Sequence, residues 1–419
     1  MSSGSWIARA VFKIGSGTAL GQLAAVLSAP VLARLYAPEA FGTFAAISAA
    51  ATVVSAVATL RLELALPLPR ETNEAAALAR VAVLAVTITS TICAIGVGTY
   101  HLFGAEIGGT RYGQELWFLP VFVFLTAMYT LLSQASLRER AYGAVAVRAF
   151  AQNGGTAAAQ IGLGLASTGP AGLLGGQTIG RLLALAGMAK YSVPYLRGTH
   201  APLGATLGRY RRFPLVLAPS AALNVLGTSI PVLVISQWYG ANDAGNLGVA
   251  QQVVLLPASL ISAAIGQVFV GELTQRLRNH QASSRSLFLR ASGALLVPAL
   301  VLYVGVTLLA EPIIPLVLGN QWVTADDYAV GMAAATALGV VAGPLSYVLI
   351  ALESVVAVVI IDVLRVVLVA GAGLAVWALN APGPTSATAM FATTSAMYVV
   401  TWLVCLQATR RSDAQHRAR

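Results

Sequence analysis

The sequence predicts an all-α polytopic membrane protein with about twelve transmembrane helices arranged in two six-helix lobes. The chain of 419 residues is 57% hydrophobic and only 10% charged, with a mean hydropathy of +0.78. Roughly a quarter of the residues in a soluble domain are charged, so this chain has too few ionic groups to cover a globular surface. Its apolar residues also fall in long runs, and one short pattern occurs at equivalent places in the two halves.

The long apolar runs predict the individual membrane spans. A helix needs about 20 apolar residues to cross a bilayer, and runs of this size are separated by charged residues, glycine or proline. The runs do not show the alternation of barrel strands, which favours helices. The first run is too long for a signal-peptide core and has no clear cleavage site, which favours a retained helix. The predicted spans are residues 14–34, 41–60, 81–103, 117–135, 143–165, 170–191, 213–238, 246–270, 289–310, 329–350, 354–378 and 386–408.

The basic residues predict the orientation, because translocated loops avoid lysine and arginine. With a cytoplasmic N-terminus, all but Arg34, Arg111 and Arg365 of the 25 lysines and arginines lie at predicted cytoplasmic ends of spans. An even number of spans then places the C-terminus in the cytoplasm as well. The net charge of +10 is explained by membrane topology, so we predict no nucleic-acid partner.

Motifs for soluble or nucleotide-driven chemistry are missing from the sequence. It contains no P-loop, no His-Glu-x-x-His pair and no Gly-x-Ser-x-Gly elbow. The predicted connections between spans are too short for a soluble catalytic domain. The sequence therefore predicts transport rather than enzymatic chemistry, with no cofactor and no metal site.

A short pattern near the end of span 1 recurs near the end of span 7. The glycine follows the proline by 12 positions in the first copy and by 14 in the second, and an amide precedes each copy, Gln22 and Asn224. Because both spans cross the membrane in the same direction, we predict two lobes, residues 1–197 and 198–419, related by an axis along the membrane normal. The copies are Pro30, Val31, Leu32, Ala33, Tyr36, Glu39, Ala40 and Gly42, then Pro231, Val232, Leu233, Val234, Tyr239, Asp243, Ala244 and Gly245.

These residues also carry a resemblance to a known family. The most specific pieces are the Tyr-x-Pro-Glu-x-Phe-Gly pattern at residues 36–42 and the Arg-x-Glu-Leu-Ala pattern at residues 61–65. Further similar pieces are Phe213-Pro214-Leu215, Gly319-Asn320-Gln321-Trp322 and Gly343-Pro344-Leu345. Over residues 15–380 the chain resembles the polysaccharide-precursor flippases, the Wzx-type O-antigen and exopolysaccharide flippases of the multidrug/oligosaccharidyl-lipid/polysaccharide exporter superfamily.

The resemblance implies a fold like that of the multidrug exporters (MATE-like) and a location in the bacterial inner membrane. It implies a flippase that moves an oligosaccharide linked to undecaprenyl pyrophosphate from the cytoplasmic to the periplasmic leaflet by alternating access, for surface polysaccharide biosynthesis. The implied partners are this lipid-linked oligosaccharide, the lipid bilayer, and the polysaccharide polymerase with its chain-length machinery.

Four arginines are candidates for binding the phosphates of such a substrate, because a guanidinium presents a planar fork of donors to phosphate. Arg61 lies at the cytoplasmic end of span 2, and Arg148 and Arg181 lie inside spans 5 and 6. For these three the alternative is simple anchoring of the topology. Arg34 lies at the outer side, where it either receives pyrophosphate or pairs with Glu39.

Charged pairs and amides inside spans are the second set of candidates. Asp362 and Arg365 lie three residues apart in span 11, so they share one helix face. They either form a structural pair or take part in ion coupling or gating. Glu63, beside Arg61, is a further candidate for coupling or gating. Gln22 and Asn224 are predicted to bind sugar hydroxyls, with helix-to-helix hydrogen bonding as the alternative.

Two other functions fit the composition. A multidrug or small-solute exporter of the same superfamily should have an acid-lined, aromatic cavity, whereas the charges at the membrane edge are largely arginine. A membrane glycan polymerase or ligase should have a large periplasmic loop with catalytic residues, which the predicted topology does not provide.

Overall fold

The computed structural model describes residues 20–69, 71–104, 112–139, 142–197, 202–278, 284–352 and 354–417, and within these ranges it contains helices but no β-strand. The helices of the first half are α1 (Leu20–Leu35), α2 (Pro38–Ala58), α3 (Leu62–Ala65), α4 (Thr72–Phe103), α5 (Phe118–Arg138), α6 (Tyr142–Leu165), α7 (Pro170–Arg197) and α8 (Leu203–Arg209). Those of the second half are α9 (Ala218–Trp238), α10 (Ala241–Arg278), α11 (Ser284–Leu318), α12 (Ala325–Leu345), α13 (Tyr347–Ala351), α14 (Val355–Ala378) and α15 (Gly383–Arg417). Short irregular helical turns precede α5 and α9, at Gln114–Trp117 and Phe213–Leu217.

The prediction of an all-α, polytopic membrane protein is confirmed. Nine helical segments of the described ranges are long and apolar enough to cross a membrane. Helices α1, α6 and α7 lie at the three remaining predicted spans. The orientation stays a prediction, and Arg111 lies outside the described residues.

Several helices are longer than the predicted spans. Helix α10 has 38 residues, and α11 and α15 have 35 each. The predicted spans stop before charged residues such as Glu272 and Arg410, which end a hydrophobic run without ending a helix. Hydropathy therefore marks where a helix leaves the bilayer, and backbone hydrogen bonding decides where the helix itself ends.

The chain folds into two compact units. The first unit runs to Ser229 and also includes Gly240–Gly245, and the second consists of Ile230–Tyr239 and the chain from Asn246 onward. The lobe boundary predicted at residues 197 and 198 stays a prediction. The core of the second unit joins α11, α12 and α15 through buried apolar side chains, among them Phe288, Leu295, Val340, Met397 and Cys405.

Glycines bring α6 and α7 close together in the first unit. Gly172, Gly176 and Gly180 lie four residues apart on α7 and therefore share one face. A Cβ on Gly176 would lie 2.7 Å from the backbone nitrogen of Gln160, and one on Gly180 would lie 2.6 Å from the backbone oxygen of Gln152. Close approach of this kind is the usual basis of helix association in membranes, where lipid is as apolar as leucine.

Tyr36, between α1 and α2, packs against one end of the same helix pair. Its ring lies against Gly164 and Gly172, and its hydroxyl donates a hydrogen bond of 2.6 Å to the carbonyl oxygen of Gln160. Burial raises the pKa of the Tyr36 hydroxyl, so the phenol keeps its proton and remains a donor at neutral pH. The side chain of Gln160 in turn donates to the carbonyl oxygen of Leu173 at 2.9 Å. This span amide joins two helices.

We expect Gly176→Val to lower the thermal stability of the protein, because overpacking at a closed helix crossing costs about 1–3 kcal/mol. The matched control is Gly162→Val on α6, where a Cβ would meet no atom within 4 Å. Both variants add the same β-branched side chain to a helix, so their helix propensities cancel. Thermal melts of the purified proteins in detergent test the expectation, and equal melting temperatures for the two variants would contradict it.

Candidate functional site

Helix α5 presents a polar and aromatic face to its neighbours in the first unit. Phe122, Thr126, Tyr129 and Ser133 are spaced by four, three and four residues, so they lie along one side of the helix. The hydroxyl of Thr126 is buried and has no hydrogen-bond partner. This face lies within a segment that is otherwise apolar enough to span the membrane.

Two of the predicted arginines meet this face of α5. The guanidinium carbon of Arg148 on α6 lies 4.7 Å from the centre of the Tyr129 ring, and its Nη1 donates a hydrogen bond to the Ser133 hydroxyl. The guanidinium carbon of Arg181 on α7 lies 4.8 Å from the centre of the Phe122 ring. Tyr129 is within electrostatic range of both arginines. We call Arg148, Arg181, Tyr129 and Ser133 the arginine cluster.

The crossing of α6 and α7 sets the level of the two arginines. Gly180 packs on the backbone of Gln152, so Arg181 lies at the level of Gln152. Arg148 precedes Gln152 by one helical turn on α6. The glycine contact therefore brings two cations, far apart in sequence, to within about one helical turn of each other along the helix pair.

No carboxylate of the described residues forms an ion pair with either arginine of the cluster. Nε of Arg148 and Nη1 of Arg181 are also buried without a hydrogen-bond partner. The aromatic faces of Tyr129 and Phe122 offset part of the cost of burial, because a cation over a ring is stabilised by the ring quadrupole. Buried arginines without a counter-charge, packed on a helix that is apolar enough to cross a membrane, remain costly, and they are typical of a site for an anionic ligand.

Arg61, the first of the sequence candidates, is neutralised instead. Its Nη1 lies 3.3 Å from Oε1 of Glu63, and the other oxygen of this carboxylate accepts a hydrogen bond of 2.5 Å from Thr59. The Arg61 side chain is 30% exposed and that of Glu63 only 1%. The buried carboxylate of Glu63 is thus neutralised by Arg61. A phosphate that approaches Arg61 would have to compete with Glu63 for the guanidinium.

The backbone at this pair is strained. Leu60 and Arg61 have φ angles of 54° and 57°, in the left-handed region. A non-glycine residue there costs roughly 1–2 kcal/mol, and such strain occurs most often at functional or switching positions. The turn joins α2 to α3 and brings the Arg61 guanidinium to the Glu63 carboxylate. From α5, Nη1 of Arg138 donates to the carbonyl oxygens of Leu66 and Pro69 at 3.0 and 2.7 Å, which satisfies the end of α3.

Asp362 and Arg365 also form a pair, within the second unit. Nη1 of Arg365 lies 3.7 Å from Oδ1 of Asp362, and both side chains are buried on α14. The guanidinium carbon lies 5.3 Å from the centre of the Tyr398 ring on α15. The ring approaches Gly339 of α12, where a Cβ would lie 3.1 Å from it. The pair is therefore neutral and enclosed by three helices.

The remaining candidates are spread over the first unit. Gln22 lies on α1, where the preceding Gly21 packs against α6 beside Ala149 and Asn153, and its buried Oε1 has no hydrogen-bond partner. Asn224 and Arg34 are exposed, on α9 and at the end of α1. The structure thus brings Arg148 and Arg181 together and places the helix of Gln22 beside that of Arg148.

Sequence reasoning missed several members of the site. Tyr129, Ser133 and Thr126 were not among the candidates, and neither was Gln152, whose Oε1 is buried without a partner beside the arginines. A useful signal was present: the polar residues of span 4 recur on one helix face. That pattern alone does not indicate which neighbouring helix carries the opposing cations.

Comparison with known proteins agrees with the predicted family. The family model described as "Polysaccharide biosynthesis protein" matches residues 31–327. A curated relative, the succinoglycan biosynthesis transport protein ExoT of Rhizobium meliloti (strain 1021), is 26% identical over 111 residues. That match spans 26% of this chain and 22% of the relative.

The fold is similar to those of two classes of solved transporter. The lipid II flippase MurJ in an inward closed conformation matches with a TM-score of 0.73 and 13% identity, over 97% of this chain and 90% of MurJ. An inward-facing multidrug resistance MATE family transporter matches with a TM-score of 0.59 and 13% identity, over 93% and 96% of the two chains. These proteins are transporters and flippases rather than enzymes, and the MATE-like fold prediction is confirmed.

We expect the effects of Arg61→Gln and Glu63→Gln on stability to be non-additive. Arg61→Gln leaves a buried carboxylate without its cation, whereas Glu63→Gln leaves a partly exposed arginine that water can solvate. Arg61→Gln should therefore lower the free energy of unfolding more than Glu63→Gln does. The double variant has no charge imbalance, so it should lose less stability than the sum of the two single changes. This difference, the interaction energy between positions 61 and 63, should reach about 1 kcal/mol, within the range for residues in contact. Thermal melts of the four proteins measure it, and additive effects would show that the pair contributes nothing.

Proposed function

The chain belongs to the polysaccharide biosynthesis protein family, and on that basis we propose that it flips an undecaprenyl-pyrophosphate-linked oligosaccharide from the cytoplasmic to the periplasmic leaflet. The observation that carries this proposal is the arginine cluster. Its two cations have no carboxylate partner among the described residues, and they face α5, a helix apolar enough to cross a membrane. A lipid-linked sugar has a doubly ionised head group that must cross the apolar layer. A fixed pair of guanidinium groups is suited to compensate that charge.

In this proposal Arg148 and Arg181 bind the pyrophosphate. The unpartnered Nε of Arg148 and Nη1 of Arg181 provide donors that a phosphate oxygen can accept in a charge-assisted hydrogen bond. The aromatic rings of Tyr129 and Phe122 hold the guanidinium planes, so little side-chain freedom is lost on binding. Arg61 contacts the pyrophosphate earlier, near the cytoplasm, where the phosphate competes with Glu63 for its guanidinium. Arg34 contacts the pyrophosphate when the substrate is released on the outer side.

Amides near the cluster would bind the glycan. Gln152 and Gln22 each have a buried, unpartnered amide oxygen, and both lie on helix turns next to Arg148 or Arg181. An amide oxygen accepts from a sugar hydroxyl and its nitrogen donates to one. Asn224, which the sequence repeat relates to Gln22, is the third amide of the proposal. The isoprenoid tail needs no polar partner and stays in the lipid.

The transport step of this proposal is alternating access. The two proposed lobes, residues 1–197 and 198–419, would rock to expose the head-group site first to the cytoplasm and then to the periplasm. We propose the bacterial inner membrane as the location, with both termini in the cytoplasm. The polysaccharide polymerase and its chain-length machinery would then consume the product on the periplasmic side.

The charge pattern favours this proposal over export of cationic drugs. The two buried carboxylates described above, those of Glu63 and Asp362, are each paired with an arginine. The unneutralised charges are positive and would repel a cationic drug. A glycan polymerase or ligase is disfavoured because the helices are joined by short connections that leave no room for a catalytic domain.

We expect Arg148→Gln and Arg181→Gln each to reduce flipping about 10- to 100-fold, since a hydrogen bond to a charged group contributes about 1.5–3 kcal/mol. Lysine at either position should restore part of the activity, because it keeps the charge but loses the donor fork. The assay is accumulation of lipid-linked oligosaccharide in the cytoplasmic leaflet of a strain without its own flippase, at matched protein levels. The control is Arg290→Gln, which removes an exposed arginine of α11. Full activity of the Arg148→Gln/Arg181→Gln double variant would refute the site.

We further propose that Asp362 and Arg365 couple transport to a proton gradient. Protonation of Asp362 would change the charge of the buried pair from zero to +1 and leave Arg365 over the Tyr398 ring without its ion pair, which favours rearrangement of α14 against α15. Asp362→Asn should then abolish the dependence of flipping on the pH gradient, whereas Asp327→Asn, at an exposed aspartate of α12, should retain it. Flipping in vesicles with and without an imposed gradient measures this. An unchanged gradient dependence in Asp362→Asn would leave the pair a structural one.

A further inference from the structure

Large apolar side chains of the first unit are exposed at and beyond the ends of predicted spans. Leu64 on α3 and Leu68 just after it are 42% and 60% exposed. Both lie in the connection between predicted spans 2 and 3, outside the apolar runs that cross the bilayer. Leu215, near the start of predicted span 7, is 70% exposed. Leucines at such positions face water unless an apolar partner covers them.

Packing on the opposite side of α3 explains why these leucines point outward. Leu62 is fully buried in a core cluster that also contains Tyr210. Leu64 comes two positions later and therefore points to the opposite side of the helical turn. The irregular turn Phe213–Leu217 lies against α3, and Phe213 packs on the same cluster. The outward side chains of α3 and of this turn therefore belong to one surface.

Two arginines directly precede this irregular turn. Arg211 and Arg212 are exposed, and among the described residues neither side chain forms an ion pair, a hydrogen bond or a ring contact. The backbone oxygen of Arg211 accepts a hydrogen bond of 3.2 Å from the nitrogen of Leu215. Two cations without a counter-charge thus lie within about one helical turn of an exposed leucine.

An ion pair and a buried tyrosine anchor the chain just before these cations. Nη1 of Arg209, the last residue of α8, lies 3.0 Å from Oε1 of Glu74 in the first turn of α4. Tyr210, the next residue, is buried in the core cluster of the first unit. The segment that carries Arg211 and Arg212 is therefore fixed to the helices beneath it, so the two charges are presented at a defined place.

We call Leu64, Leu68, Leu215, Arg211 and Arg212 the leucine–arginine surface. The positive-inside rule accounts for arginines at this level, but it does not require exposed leucines beside them. A phospholipid provides both complements, because its acyl chains can cover the leucines while its phosphate meets the guanidinium groups. An acidic protein segment would neutralise the arginines and leave the leucines uncovered.

We propose that the leucine–arginine surface binds one anionic phospholipid of the membrane. Its headgroup phosphate contacts Arg211 and Arg212, and an acyl chain lies over Leu64, Leu68 and Leu215. This site goes beyond the proposed function, because its ligand is a resident membrane lipid and not the transported substrate. It also lies apart from the arginine cluster, whose cations are buried among helices α5, α6 and α7.

Lipid binding to the purified full-length protein in detergent tests this proposal. The probe is dioleoylphosphatidylglycerol, and native mass spectrometry measures the affinity of the first lipid bound. Arg211→Gln/Arg212→Gln should weaken this binding about 30-fold, since an arginine near an anionic membrane surface contributes about fivefold in affinity. Both side chains are exposed, so the melting temperature without lipid should stay unchanged.

A matched variant controls for the loss of charge. Arg285→Gln/Arg290→Gln removes two exposed arginines from the first two turns of α11, at the same predicted side of the membrane, and should leave the affinity unchanged. Leu68→Ser/Leu215→Ser tests the apolar part of the surface with both arginines in place. This variant should weaken phosphatidylglycerol binding about tenfold, because the acyl chain loses apolar area to cover.

The other outcomes overturn the proposal in distinct ways. Dioleoylphosphatidylcholine has the same acyl chains and no net charge, so equal binding of this lipid would remove the role of the arginines. An equal loss in the α11 control would show a general charge effect. Displacement of the lipid by inorganic phosphate at the same concentration would indicate a site for free anions. Tighter binding of undecaprenyl phosphate at these residues would assign the surface to the substrate.

The lipid measurements do not depend on transport. Failure of the proposed function would appear as an absence of flipping in the deletion strain, and it would leave the affinity for phosphatidylglycerol as it is. Failure of the lipid site would appear as an unchanged affinity in Arg211→Gln/Arg212→Gln, whether or not the protein flips a lipid-linked oligosaccharide.

Discussion

The cost of placing a charge in hydrocarbon decides how this protein is organised. The chain places most of its cations at predicted membrane edges, and it keeps few ionised side chains between them. Where an ionised group lies inside, the structure provides a partner for it: Glu63 for Arg61, and Asp362 for Arg365. The arginine cluster departs from this rule, because its partners are aromatic rings and a hydroxyl. A charge without a counter-charge in this setting is the strongest indication of a ligand in the molecule.

Helix packing follows from the same absence of water. In a bilayer, apolar side chains gain little by leaving lipid for protein, so helices associate through close backbone approach and hydrogen bonds. The glycine face of α7, the Tyr36 hydroxyl and the Gln160 amide provide such contacts in the first unit. The crossing that packs α6 on α7 also brings Arg148 and Arg181 to within about one helical turn of each other. Packing and binding are thus linked through Gly180, whose neighbour in sequence is Arg181.

The sequence by itself determined the all-α polytopic class, the approximate positions of the spans and the family, because hydropathy, span length and two short motifs are local properties of the chain. It also identified Arg61, Arg148 and Arg181 as candidates, but it ranked Arg61 first. Only the tertiary structure decided which arginines are neutralised, since that depends on side chains from other helices, such as Tyr129 and Ser133, or on a strained turn such as Leu60–Arg61. Gln152 was invisible for the same reason, because an amide in a span becomes informative only when its neighbours are known.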